Sequence, residues 1–196
     1  MTFDDGPNGA ATEKILDTLQ RFQVKATFFL VGTNVLRYPE LTRRIAREGH
    51  ALGNHSFDHP RLDQVAFTEL ARNIEAGAEA IREVTGVRPT WFRPPYGING
   101  HGLEEYCRVK GYAIAGWSGA ASDWNRVSAV EIAERMITQA TPGDILLLHD
   151  GWETRADAEL RQPTVEAVHL ILERLTREGY RFVTLPELVR QAGPPL

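Results

Sequence analysis

Apolar residues along the 196-residue chain fall into two patterns that alternate from start to end. Short continuous apolar runs are typical of buried strands, and apolar positions three or four apart are typical of helices with one buried face. Seven strands are predicted, one at the very start and the others at residues 26–31, 51–54, 90–92, 112–117, 144–148 and 180–184. Strands that alternate with helices in this way predict about seven βα units and a parallel sheet.

The predicted helices lie between these strands, and two carry clear end signals. Pro39 suits the first turn of one helix, which Gly49 ends. Ser128 and Glu131 have the spacing of a capping box for a helix that runs to about Gln139. The other helical segments are marked by Ile15, Leu16, Leu19 and Phe22; Leu41 and Ile45; Leu70, Ile74, Ala78 and Ile81; the span from Leu103 to Val109; Val165, Val168, Leu172 and Leu175; and Pro186, which starts a last short helix.

Composition narrows the class of protein. A hydrophobic content of 42% over 196 residues predicts a single globular domain, residues 1–196. The net charge of −4 argues against a nucleic-acid-binding protein, and no apolar run is long enough to span a membrane. The single cysteine, Cys107, excludes an internal disulfide bond. No signal peptide is visible, and the first strand begins so early that we expect a trimmed start.

Polar residues collect where the predicted strands end. Asp4-Asp5, His55, Arg93 and His149 each follow an apolar strand. The carboxyl ends of parallel strands form the ligand site in α/β folds. We therefore expect these segments, together with the one around Asp123, to converge on one pocket.

Two of these segments have the residue types of a metal site. Asp4 and Asp5 precede a Gly6-Pro7 turn, so they form either a plain polar turn or a pair in which one acid is a ligand and the other stays free. His55 and His59 are four residues apart, and on one helical turn they would face the same way and share a metal with a carboxylate. Such a site suits zinc hydrolases and also iron, and the alternative is a polar loop.

The other strand ends offer groups for acid–base chemistry. Arg93-Pro94-Pro95-Tyr96-Gly97 is either a rigid turn or a stiff loop that holds a guanidinium beside a carboxylate. An imidazole ordinarily has a pKa near neutrality, so His149 is either a proton donor or a hydrogen-bonded histidine at a strand end. Trp117, Trp124 and Trp152 flank these loops, where they either stack on sugar rings or pack against the protein.

Five motifs stand in one order along the chain: Thr2-Phe3-Asp4-Asp5-Gly6-Pro7, His55-Ser56-Phe57-Asp58-His59, Arg93-Pro94-Pro95-Tyr96, Asp123-Trp124 and Leu147-Leu148-His149. Through these motifs the sequence closely resembles the polysaccharide deacetylases of the NodB-homology type, carbohydrate esterase family 4, over essentially the whole chain. The resemblance implies a distorted (β/α) barrel, which agrees with the alternation of strands and helices.

The resemblance implies a metal triad of Asp5, His55 and His59. The ion would be divalent, with zinc first and Co²⁺, Mn²⁺ or Ni²⁺ as alternatives. Asp4 looks like the general base that takes a proton from the attacking water. Arg93 resembles the residue that pairs with this base and orients it.

The resemblance also implies the other roles in the site. His149 resembles the general acid, and Asp123 resembles the carboxylate that tunes it. The backbone N–H of Tyr96 resembles the oxyanion donor. Trp124 looks like a wall of the groove, and Leu147 looks like the floor of the pocket for the acetyl methyl group.

The activity implied by the resemblance is metal-dependent removal of N-acetyl groups from N-acetylglucosamine-containing glycans, such as chitin oligosaccharides or peptidoglycan, with release of acetate. The alternatives are an O-acetyl esterase on acetylxylan and a catalytically inactive carbohydrate-binding relative. The expected partner is an acetylated glycan, with no nucleic acid, no membrane span and a monomeric chain. Family members usually act outside the cytoplasm or at the cell envelope.

One motif departs from the family pattern. The fourth motif is commonly D-x-x-D-W, whereas this chain has Ala120-Ala121-Ser122-Asp123-Trp124, without the first acid. The small residues of Gly116-Trp117-Ser118-Gly119-Ala120-Ala121 come just before it. We therefore expect an altered groove wall with the same chemistry.

Overall fold

Seven parallel strands form one sheet in the computed structural model, which describes residues 1–155 and 161–193. The strands are β1 (Thr2–Asp4), β2 (Thr27–Leu30), β3 (Ala51–Asn54), β4 (Trp91–Phe92), β5 (Ala113–Ile114), β6 (Gly119–Ala120) and β7 (Leu146–His149). The α-helices within the same ranges are α1 (Gly9–Arg21), α2 (Gly32–Arg37), α3 (Pro39–Arg47), α4 (Phe67–Thr85), α5 (Leu103–Lys110), α6 (Ala129–Gln139), α7 (Gln162–Arg177) and α8 (Leu185–Ala192).

The first strand of the chain lies inside the sheet, whose order is β5-β4-β3-β2-β1-β7-β6. On one side of β1, Phe3 pairs with Phe28 of β2, and on the other side it pairs with Leu148 of β7. The sheet curls into a half-barrel with flanking helices, and β5 and β6 are its two edges. The predicted parallel α/β fold is therefore confirmed, in the form of an open barrel.

The apolar stripes predicted from the sequence are largely buried. The buried stripe residues are Ile15, Leu16, Leu19, Ile45, Leu70, Ile74, Ala78, Ile81, Val165, Val168, Leu172 and Leu175. At the centre of the main core the rings of Phe3 and Phe28 stack with centroids 5.0 Å apart. Burial of each such side chain contributes about 1.5–3 kcal/mol to stability. No helix in the described ranges is long and apolar enough to cross a membrane.

The helix-end signals are confirmed. Pro39 opens α3, and Ser128 and Glu131 make both reciprocal hydrogen bonds of the capping box at the start of α6. Pro186 lies in the first turn of α8. Helix α2 was not predicted because its six residues are too few to carry a periodic apolar stripe.

The predicted strand at residues 180–184 is wrong. This segment forms no strand; with Met1 and Leu146 it lines a cavity of about 580 Å³, which lies between its backbone and the beginnings of β1 and β7. Tyr180 anchors the segment by donating its hydroxyl to the Ala140 carbonyl oxygen at 2.9 Å. The remaining strand of the sheet is instead β6, whose Gly119–Ala120 sequence has no apolar run and hence no strand signal.

Candidate active site

The site residues predicted from the sequence lie together at the carboxyl ends of the strands. They surround a pocket of about 410 Å³. Its lining residues are Asp4, Asp5, His55, His59, Tyr96, Gly97, Trp117, Trp124, Leu147, His149, Trp152, Glu153 and Arg161. Arg93 and Asp123 lie behind this lining, where they contact Asp4 and His149. The parallel sheet thus brings together segments that are far apart in the sequence.

Asp5, His55 and His59 form a buried cluster at one side of the pocket. Each offers one ligand atom, and these atoms lie within 4.8 Å of one another. Asp5 Oδ1 is 3.1 Å from His59 Nε2 and 3.5 Å from His55 Nε2. This oxygen is buried and accepts no hydrogen bond from any described residue. Two imidazole nitrogens beside an orphaned carboxylate oxygen fit a divalent metal ion.

The predicted helical turn between His55 and His59 is wrong. Residues 55–59 form no helix, and Ser56 and His59 have left-handed φ values of 70° and 60°. Local side chains stabilise this reversal: Asn54 Oδ1 accepts from the Ser56 N–H at 3.0 Å, and Ser56 Oγ accepts from the His59 N–H at 3.1 Å. The imidazoles therefore converge through a tight polar loop, which the four-residue spacing alone did not reveal.

Neighbouring groups orient the cluster. His55 Nδ1 lies 2.7 Å from the Arg93 carbonyl oxygen, and a proton on Nδ1 makes this a hydrogen bond that leaves Nε2 as a free ligand atom. Asp5 Oδ2 accepts from the Glu153 N–H at 3.0 Å. The Asn34 side-chain amide donates to the carbonyl oxygens of Asp5 at 2.8 Å and Glu153 at 2.7 Å. These contacts fix the ligand atoms before any ion binds.

Asp4 belongs to a separate set of contacts. Arg93 donates Nη1 to Asp4 Oδ1 at 2.8 Å, and both side chains are buried. Arg93 also donates to Thr2 Oγ1 and to the carbonyl oxygens of Ala115 and Gly116. A buried ion pair is favourable only when further hydrogen bonds satisfy the remaining groups, and Arg93 meets this condition.

His149 lines the pocket, and Asp123 lies behind it. His149 Nδ1 lies 2.8 Å from Asp123 Oδ1, and the His149 backbone N–H donates to Asp123 Oδ2 at 2.9 Å. Burial opposes the charged imidazole, but the carboxylates of Asp123, Asp5 and Asp4 together outweigh it and raise the pKa of His149 to about 9. Burial also acts to raise the pKa of Asp123, but His149 and Arg161 together hold it below its usual range. At neutral pH, His149 is thus a protonated group beside an ionised carboxylate.

Three further predicted residues shape the pocket. Leu147 is buried, with 2% of its surface exposed. Trp124 is 41% exposed and meets the His149 ring edge-on, with centroids 5.5 Å apart. Tyr96 has a left-handed φ of 59° and donates its hydroxyl to Glu153 Oε1 at 2.9 Å. The pocket therefore combines an apolar surface and aromatic rings with the polar side chains of the cluster and of His149.

Sequence reasoning missed several residues that support the site. They are Thr2, Asn34, Glu153, Arg161 and Thr164. Thr2 lies in the first motif, but a threonine that follows one apolar residue carries no chemical signature. The others lie outside the five motifs and have no spacing that points to a site. Only their contacts with Asp5 and Asp123 identify them.

Comparison with known proteins agrees with the fold. The family model described as polysaccharide deacetylase matches residues 1–115. A peptidoglycan-N-acetylglucosamine deacetylase of Bacillus cereus is 37% identical over 188 residues, which are 96% of this chain and 66% of the relative. A chitooligosaccharide deacetylase of Bradyrhizobium is 37% identical over 96% of this chain and 89% of the relative.

A solved structure is similar to this chain over nearly its whole length. The Bc1960 peptidoglycan N-acetylglucosamine deacetylase superposes with a TM-score of 0.89 at 37% identity, covering 96% of this chain and 86% of that one. The chain thus belongs to the polysaccharide deacetylase family. It spans slightly less than two thirds of the length of the Bacillus cereus relative, at 66%.

Proposed function

We propose that the protein is a metal-dependent deacetylase that hydrolyses the N-acetyl groups of N-acetylglucosamine-containing glycans and releases acetate. One arrangement carries this proposal: the Asp5, His55 and His59 cluster lies in the same pocket as the Arg93-bound Asp4 and the Asp123-bound His149. The names of the relatives, which include peptidoglycan and chitooligosaccharide deacetylases, support the same substrate class.

The proposed metal ligands are Asp5, His55 and His59. Their set of two nitrogens and one oxygen suits Zn²⁺, with Co²⁺, Mn²⁺ or Ni²⁺ as alternatives. A divalent ion held there would polarise the acetyl carbonyl and lower the pKa of the attacking water. The buried, pre-oriented ligands support this assignment, because they need little rearrangement to receive an ion.

Asp4 is the proposed general base. Its Oδ1 is held by Arg93, so Oδ2 is the oxygen left to accept a proton from water. The guanidinium also keeps the carboxylate from rotating, because Arg93 is itself fixed by Thr2 and two carbonyl oxygens. An immobile base lowers the entropic cost of reaching the transition state.

The acetyl group is proposed to bind in the pocket beside the cluster and His149. Leu147 provides an apolar contact for the methyl group, and Trp124 forms one wall of the groove. The Tyr96 backbone N–H is the proposed hydrogen-bond donor to the oxyanion. Such a donor typically contributes about 3 kcal/mol to transition-state stabilisation.

His149 is the proposed general acid. An amine leaves poorly unless it is protonated, and amide hydrolysis therefore needs a proton donor on the leaving-group side. The Asp123 carboxylate helps to keep the imidazole charged at neutral pH and occupies its Nδ1. Nε2 is then the nitrogen available to the departing amine.

The proposed substrate class has consequences for the domain, the partners and the location of the protein. We treat residues 1–196 as one catalytic domain, since a single sheet connects both halves of the site. Peptidoglycan or chitin oligosaccharides are the proposed glycan partners of a monomeric chain. Peptidoglycan lies outside the cytoplasm, so we place the protein in the secreted or envelope-associated fraction.

Acetate release from a panel of glycans tests the proposed function. The panel contains N-acetylglucosamine oligomers, peptidoglycan and acetylxylan, each assayed after chelation and after Zn²⁺ is restored. We expect metal-dependent acetate from the N-acetylated glycans and none from the Asp4→Asn variant. Acetate from acetylxylan alone would replace the proposal with an O-acetyl esterase, and glycan binding without any acetate would replace it with a carbohydrate-binding domain.

A further inference from the structure

Asp123 is held on the side away from His149 by residues at the start of α7. Thr164 donates its hydroxyl to Asp123 Oδ2 at 2.9 Å. Arg161 donates Nη1 to the Asp123 backbone carbonyl at 2.9 Å, and the same nitrogen lies 3.9 Å from Oδ2. Thr164 and Arg161 are each 1% exposed. Side chain and backbone of Asp123 are thus both fixed by one segment that belongs to none of the sequence motifs.

The two oxygens of Asp123 have different partners. Oδ1 accepts from the His149 ring, whereas Oδ2 accepts from Thr164 and from the His149 backbone N–H. Rotation of the carboxylate would break these three contacts together. Thr164 thus helps the His149 backbone N–H to fix the plane of the Asp123 carboxylate that faces the imidazole.

Arg161 contributes a buried charge at the same place. Its guanidinium stacks over the Trp152 ring at 4.5 Å and forms part of the pocket wall. A guanidinium that is almost fully buried is stable only beside compensating negative charge, and Asp123 is the carboxylate that it reaches. Arg161 therefore binds Asp123 from one side while the charged His149 binds it from the other.

We propose that Arg161 and Thr164 are positioning residues for proton donation, which act by holding Asp123 in the orientation that aligns His149. This inference rests on the proposed function, in which His149 protonates the leaving amine. It assigns a catalytic consequence to a segment 12 to 15 residues beyond His149, which acts on the proton donor through Asp123.

The first test is the NMR signal of the His149 Nδ1–H in the zinc-loaded chain, assigned by its loss in His149→Gln. We expect Thr164→Val and Arg161→Met to move this signal and to broaden it by faster exchange with water, because the Asp123 carboxylate is released. Thr164→Ser retains the hydroxyl and should restore the signal. Thr42→Val is the matched control, since Thr42 is a buried threonine of α3 whose hydroxyl donates to the carbonyl oxygen of Tyr38, and neither residue lines the pocket.

The second test compares two leaving groups. For an N-acetylglucosamine oligomer, which must release an amine, Thr164→Val should lower kcat/KM about tenfold and Arg161→Met roughly a hundredfold. For an aryl acetate, whose phenolate leaves without a proton, both variants should stay within about twofold of the unaltered enzyme. Thr164→Ser should recover most of the amide activity.

The outcomes separate this inference from the proposed function. Failure of the unaltered zinc-loaded enzyme to release acetate from N-acetylated glycans counts against the function, and the NMR arm still tests the positioning. An unchanged His149 signal in Thr164→Val overturns the positioning role. Equal losses on the amide and the aryl ester, with a lowered Tm, also overturn it by indicating a purely structural effect.

Discussion

Asp4 and Asp5 are adjacent in the chain, yet their carboxylates meet different partners. Asp4 Oδ1 accepts from Arg93 at 2.8 Å, whereas Asp5 Oδ1 lies 3.1 Å from His59 Nε2. The left-handed φ of 72° at Asp5 turns the chain directly after β1. The turn therefore separates a carboxylate bound by arginine from a carboxylate that lies between two histidines.

Replacement of the two acids should have different effects. Asp4→Asn keeps the shape of the site and the proposed ligands, so we expect normal zinc content and a loss of turnover of at least about a thousandfold. Asp5→Ala, or alanine at both His55 and His59, should leave the chain without bound zinc after dialysis. Zinc content and acetate release are measured on the same samples of each variant. Full zinc content in the double-histidine variant contradicts the proposed triad.

Removal of Arg93 should destabilise the protein through Asp4. Arg93→Met leaves a buried carboxylate without its charge partner, which typically costs about 3–5 kcal/mol of unfolding free energy. The double variant Asp4→Asn/Arg93→Met should lose less, because the uncompensated charge is gone. Urea denaturation in the presence of a chelator measures the unfolding free energy of both variants without a contribution from metal. Equal losses of unfolding free energy in the single and the double variant would show that Arg93 acts independently of Asp4.

The pH dependence of amide hydrolysis should report His149. In the proposed mechanism its protonated form is the acid, and its pKa is raised to about 9, so kcat should be retained at neutral pH and fall as the pH rises through about 9. Asp123→Asn removes the largest of the charges that raise this pKa, while burial still lowers it and Asp5 and Asp4 still raise it. The basic limb should therefore move to lower pH. If the basic limb stays at the same pH in Asp123→Asn, the limb does not report the titration of His149.

Gly151 should be essential for the geometry of the proposed metal site. A Cβ at this position would lie 2.1 Å from the Asp5 carbonyl oxygen and 2.9 Å from Asp5 Cβ. Gly151→Ala must therefore displace Asp5, and we expect zinc affinity to fall by roughly 10- to 100-fold. Gly116→Ala is the control, since a Cβ there meets nothing within 4 Å. Competition with a chromogenic zinc chelator measures the affinities, and equal values for the two variants contradict the prediction.

The sequence predicted most of the fold because helix stripes and apolar runs are local signals. Leu70 and Ile81 are buried as their spacing predicts, and the capping box of Ser128 is present. β6 could not be predicted from Gly119–Ala120, because its pairing with β7 is set by the rest of the sheet. Residues 180–184 have a strand-like sequence, but they form no strand and line a cavity instead.

For the site, the sequence indicated which groups meet but did not reveal how they are held. His55 and His59 converge as expected, although through two left-handed residues in place of a helical turn. The left-handed turn depends on Asn54 and Ser56, whose roles are visible only as contacts. Thr164 likewise looks like an ordinary residue at the start of a helix until its hydroxyl is seen on Asp123.

The pairing of β1 with β7 has a consequence for how the protein matures. The proposed metal ligands all come from residues 5–59, while His149 joins them only across this pair, where Thr2 donates to the Leu146 carbonyl over a separation of 144 residues. Contacts between such distant positions form late, because the entropy of closing a long loop opposes them. Closure of the β1–β7 pair is therefore a late step of folding, and it is the step that brings the proposed proton donor to the proposed ligands.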